Sequence, residues 1–161
     1  MTKLIFLCLF AVNGVLIHAE PPELAVTTKA RDNDTLISIS SSDRRSVLTF
    51  SYLGGIKDIK TNSDHSIYAL NLSPGADINE VYIIYCSFDN RIKVIKDVND
   101  RIQQIYAPRN DVLSADYIRI DKIVGRILYV RSGYRDEPIY RFNVELTNKD
   151  KIAVVSDAIR D

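Results

Sequence analysis

Hydrophobic and polar positions alternate over much of this chain. TLISISSS (Thr35–Ser42), SVLTFSYL (Ser46–Leu53), YIRID from Tyr117 and IYRFNVEL from Ile139 put every second residue on one face, the pattern of a half-buried strand. SIYALNLS (Ser66–Ser73) alternates less cleanly, with Ile67, Ala69 and Leu72 as its inward set. VYIIYCSF from Val81, RIKVIKDV from Arg91 and KIAVVSD (Lys151–Asp157) add further strands. From Asp116 to Asn148, three runs dense in Ile, Val and Tyr are separated by Gly125, Gly133 and Pro138, which reads as an antiparallel meander. Helical spacing surfaces only in VNDRIQQIYA, where Val98, Ile102 and Ile105 recur; a short helix there is the minority reading. The expectation is an all-β chain of antiparallel meanders with roughly nine to eleven strands.

A repeat organises those strands. The segment from Glu80 can be laid over the segment from Arg126 so that Val81 meets Ile127, Ile92 meets Ile139 and Ile105 falls near Val154, an offset of 46 to 49 residues. A repeat of about 40 to 50 residues built from about four short strands is the signature of a propeller blade, because one such sheet cannot cover its own faces and must stack on neighbours. A β-sandwich or barrel with repeated hairpins fits the same pattern. Blades of this length allow no more than three between Thr35 and Asp161, whereas closed propellers have at least about four. An open stack would leave sheet faces uncovered and available for self-association. The reading adopted is a partial, propeller-like domain that is a fragment or a diverged short relative of a longer product.

DYIRIDKIVGRILYVRSG resembles the corresponding run of the YWTD propellers of the low-density lipoprotein receptor class, also called class B repeats. There an apolar strand ends in Asp, a Gly turn follows, and the next strand carries the tetrapeptide before Ser-Gly. Asp121 stands at that Asp, Gly125 at the turn, and Ser132 and Gly133 at the Ser-Gly. Leu128, Tyr129, Val130 and Arg131 occupy the tetrapeptide, and the upstream copy reads Tyr82, Ile83, Ile84 and Tyr85. LTFSYLGGIKDI (Leu48–Ile59) is similar to the opening strands of such a propeller. The resemblance implies recognition of an extracellular protein ligand by a receptor-type ectodomain.

Targeting signals point the same way. Residues 1–19 open with Lys3, run apolar from Leu4 to Ile17 and reach Ala19, the layout of a secretory signal peptide. Residues 20–34, EPPELAVTTKARDND, are expected to be a flexible entry segment, and residues 35–161 the all-β domain. Removal of residues 1–19 leaves 142 residues with 20 Lys and Arg against 21 Asp and Glu. No later segment is apolar enough for a membrane span. Near-neutral charge without a basic stripe argues against nucleic acid. Asn33-Asp34-Thr35 and Asn71-Leu72-Ser73 are acceptor sequons, with Asn33 the better placed.

Candidate chemistry is sparse. Cys8 leaves with the signal peptide, so Cys86 remains as a lone thiol, read as a buried small hydrophobe with intermolecular pairing as the alternative. His65, in the polar turn TNSDHS, is the sole remaining histidine, which leaves no set of zinc ligands and no cofactor or catalytic constellation to name. DVNDR lacks the Gly and closing Glu of a calcium loop. Nine tyrosines and no tryptophan fill inter-sheet space, and Tyr134 with Arg131, Arg135 and Arg141 has the Tyr and Arg enrichment of a binding face. The chain is therefore expected to be a secreted, non-enzymatic protein-binding module; a secreted enzyme or enzyme inhibitor on a β-sandwich is the alternative.

Overall fold

Alternation builds the first sheet and its absence marks the second. β1 (Leu24–Ala30), β2 (Asp34–Ser41) and β3 (Val47–Leu53) pair in that order. β4 (Gly55–Thr61), β5 (Ile67–Ser73), β6 (Glu80–Cys86) and β7 (Ile92–Ile95) form a second meander. After a helix, α1 (Val98–Tyr106), and a 3₁₀ turn (Ala115–Tyr117), a third meander follows in the same manner. It consists of β8 (Arg119–Val124), β9 (Ile127–Ser132), β10 (Tyr140–Leu146) and β11 (Ile152–Val154), with β12 (Ile159–Arg160) also on β10. Every pairing is antiparallel. This computed structural model describes residues 22–43, 47–75, 78–87, 91–106, 115–133, 139–147, 149, 151–157 and 159–160. The all-β class is thus present, and no sheet among the described residues closes into a barrel.

The three sheets lie in a stack with the second in the middle. Tyr82, Ile84 and Cys86 of β6 point to the first sheet, where Leu24, Ile37, Ile39 and Tyr52 meet them. Val81, Ile83 and Tyr85 point to the third, against Ile120, Leu128, Val130 and Phe142. A strand covered on both faces needs no polar positions, which is why VYIIYC reads as a continuous apolar run. In the outer sheets one face is buried, so β2 and β9 alternate strictly between buried and half-buried positions. The tyrosines divide among the layers: Tyr52 and Tyr82 meet edge to face at 5.6 Å, Tyr106 packs on Phe142 at 4.4 Å, and Lys96 caps the first cluster 5.0 Å from the Phe50 ring centre. Burial, and secondarily Glu80, holds the Tyr52 hydroxyl well above the usual tyrosine range.

Four sequence expectations change. Residues 24–30, placed in a flexible entry, form β1, anchored where Leu24 N–H donates to the His65 carbonyl (2.9 Å). The segment read mainly as strand around Ile102 is α1, whose Val98, Ile102 and Tyr106 face the core between the second and third sheets. Among the described residues there are twelve strands, one more than the upper expectation. The internal repeat is also shifted by one strand. Strands holding the same place in their meanders begin at Ile67 and Ile127, Glu80 and Tyr140, Ile92 and Ile152, a constant 60 residues apart, so Val81 matches a residue of β10 and not Ile127.

Buried asparagines join the layers. Asn71 of β5 donates to the Ile120 carbonyl (2.8 Å) and accepts from the Ile120 N–H (2.9 Å), so its carboxamide acts as a one-residue strand on the outer edge of β8. Asn62 accepts from the N–H groups of Ser66 and Ile67 and donates to the Gly125 carbonyl (3.1 Å), tying the β4–β5 turn to the β8–β9 turn. Asn99, in the first turn of α1, accepts from the Val81 N–H (2.9 Å) and donates to the Asn79 carbonyl (2.8 Å). A carboxamide carries both donor and acceptor, so it can satisfy a peptide group that no strand reaches.

Candidate functional site

The outer face of the third sheet, turned away from the stack, gathers its charged residues into one row. Arg119, Arg131 and Arg141 are successive cross-strand neighbours on β8, β9 and β10. Each reaches Asp121: Arg119 Nε lies 3.2 Å from Oδ1, Arg131 Nε 3.3 Å from Oδ2 and Arg141 Nη1 3.8 Å from Oδ2. A β-bulge makes this convergence. Register between β8 and β9 shifts from Ile120, opposite Val130, to Lys122, opposite Tyr129, leaving Asp121 as the extra residue. Without the bulge Lys122 would turn inward; with it, Asp121 and Lys122 both reach the outer face while Ile120 and Ile123 stay buried.

Next to the arginines, the Lys122 ammonium lies 4.2 Å from the centre of the Tyr129 ring, a cation–π contact. Asp121, Lys122, Tyr129, Arg141 and Asn143 line a shallow depression of about 320 Å³. Four cations thus face Asp121 and, one row further on, Glu145, on a chain of formal net charge zero. Arg131 is the least exposed of the three arginines, its side chain 24% exposed, and its Nε is buried and close to Asp121 without making a hydrogen bond. Like charges side by side on a sheet are destabilising, and among the described residues Asp121 is the carboxylate that all three guanidinium groups reach.

Of the residues singled out from sequence, Arg131 and Arg141 are brought together as direct cross-strand partners; Tyr134 and Arg135 lie outside the described residues. Arg119, Asp121, Lys122 and Tyr129 complete the group. Asp121 does not end its strand, as the receptor-repeat pattern has it, but forms the bulge, while Gly125 does occupy the following turn at φ +56°. His65 belongs to a turn at φ +54°, its Nδ1 3.2 Å from the Tyr68 hydroxyl. Asn33 is exposed in the β1–β2 turn. Asn71 is only 3% exposed with its amide committed to Ile120, which leaves Asn33 as the sequon at the surface. Cys86 is buried between the first and second sheets.

Among the described residues, no group of three or more His, Cys, Asp or Glu is placed to hold a metal ion, and no helix is long and apolar enough to cross a membrane. Comparison with protein-family models, curated proteins and solved structures found no match to this chain.

Proposed function

We propose that the protein is a secreted, non-enzymatic binding module that takes an acidic segment of an extracellular protein ligand on the outer face of its third sheet. The observation that carries this reading is the row Arg119–Arg131–Arg141 converging on Asp121, with Lys122 on Tyr129 beside it. Three like charges at directly opposed strand positions are the kind of local conflict found at working surfaces. Arg and Tyr are also the side chains that anchor interfaces, through planar bidentate pairing with carboxylates and large apolar contact. The resemblance to receptor propellers and the leader-like residues 1–19 support an extracellular setting, and successive meanders stacked face to face suit a repeat-built binding scaffold.

The test is binding of an immobilised polyglutamate peptide. The Arg131→Ala/Arg141→Ala double variant should weaken it by at least about tenfold, mostly through faster dissociation, and wild-type binding should fall as salt is raised. Arg101→Ala, on α1, should leave it unchanged. Equal binding by the wild type and the double variant, at unchanged thermal stability, would remove this face from the account.

A further inference from the structure

Among the described residues, each meander ends in strands that pair with no further strand on their outer side, and β1, β4, β7, β8 and β11 are guarded there. β4 carries Lys57, Asp58 and Lys60 and a bulge between Ile56 and Asp58. β8 carries Arg119, Asp121 and Lys122, a bulge, and the Asn71 carboxamide on the peptide groups of Ile120. β7 is four residues long and contains Lys93; β11 has three residues; β1 contains Lys29. Charges, bulges and shortness are the devices that keep edges from pairing with other chains. β3, VLTFSYL, has none of them: seven residues, all aligned with β2 in unbroken register, with no charge, Gly or Pro. Its Val47 and Leu53 are 69% and 73% exposed.

We propose that β3 is a pairing edge and that its occupant is β3 of a second copy of this chain, joined antiparallel about a two-fold axis through Phe50. The strand is self-complementary in that register. Val47 faces Leu53 of the partner copy, Thr49 faces Ser51 and Phe50 faces Phe50, while Leu48 faces Tyr52. The exposed apolar ends cover each other, the hydroxyl residues meet on the same face, and no charge is placed opposite another. Two three-stranded sheets become one of six strands, and the contact is isologous, so it closes at two chains. It lies on the first sheet, away from the arginine row of the third, and does not depend on that row having a ligand.

Light scattering over a wide concentration range should give twice the chain mass. Thr49→Lys/Ser51→Lys sets lysines of the two copies directly opposite one another on an exposed face and should return the chain mass; Thr27→Lys, on the same face but on β1, should leave the dimer intact. Amide exchange in the wild type supplies a second readout that needs no variant: alternate amides of β3 should exchange more slowly as concentration rises. The chain mass at every concentration, assemblies larger than two, or a dimer that survives Thr49→Lys/Ser51→Lys would each overturn the proposal.

Discussion

Replacing Asn71 by Ala should cost about 3 kcal/mol of unfolding free energy, measured by urea denaturation. The buried N–H and C=O of Ile120 each lose their partner, and an unsatisfied buried peptide group costs about 1–3 kcal/mol. The side chain sits between the second and third sheets, 3% exposed, and also donates to Asp58, so water cannot readily replace it. Asn71→Asp should be at least as damaging. It keeps an acceptor for the Ile120 N–H but sets a carboxylate beside the Ile120 carbonyl and Asp58, with no donor for either. Hydrogen exchange should show β8 opening first, because its outer edge is the one this amide closes. A neutral effect for Asn71→Ala would mean that the third sheet is held by its apolar core alone.

Gly54→Ala should be costlier, lowering stability by about 3 kcal/mol or more. Gly54 links the first sheet to the second at φ +128°, a region that residues with a Cβ avoid. A Cβ built there would come 2.4 Å from the Ser73 carbonyl oxygen and 3.0 Å from Pro74 Cα. Both are backbone atoms of the β5 end, so neither can swing aside, and relief requires the two sheets to separate. Gly125→Ala is the matched control. Its φ of +56° brings strain of about 1 kcal/mol, but nothing lies within 4 Å of the added Cβ. Thermal unfolding of the two variants should therefore differ severalfold in its shift.

Where a segment's pattern is set by its own sheet, it was legible. β2, β3 and β10 each bury one face, and their alternation shows it. The apolar run of β6 was legible as a strand, though not as a middle layer, since a continuous run carries no record of which side each residue faces. α1 escaped because nine residues hold only Val98, Ile102 and Ile105–Tyr106 as a helical stripe, and its support comes from tertiary packing on β6 and on β11, the latter far away in sequence. Asp97, directly before it, is held below the ordinary carboxylate range chiefly by its hydrogen bond with Arg101, an i,i+4 pair across the first turn of the helix. β1 escaped for the opposite reason: LAVTTKA is polar because it is an edge with one exposed face. The repeat was mis-registered by one strand because strands rich in Ile, Val and Tyr resemble each other more closely than their places in a sheet differ.

The site was half legible. Arg131 and Arg141 stood out by composition, and register alone makes them neighbours. Lys122 could not be placed, because a bulge turns it outward where sequence alternation assigns it inward, and Arg119 and Asp121, though outward by alternation, meet Arg131 only through the register of β8 on β9. The asparagine clamps are likewise tertiary: a sequon and a structural carboxamide look alike until the neighbouring sheet is present.

Binding of acidic protein segments by the arginine row of the third sheet is tested most directly by an NMR titration of the ¹⁵N-labelled protein with a polyglutamate peptide. Shifts confined to Arg119, Lys122, Tyr129, Arg131, Arg141 and their strand neighbours, and reversed by added salt, are the result expected. Perturbation centred on the first or second sheet, or none on β8, β9 and β10 at saturating peptide, would contradict it.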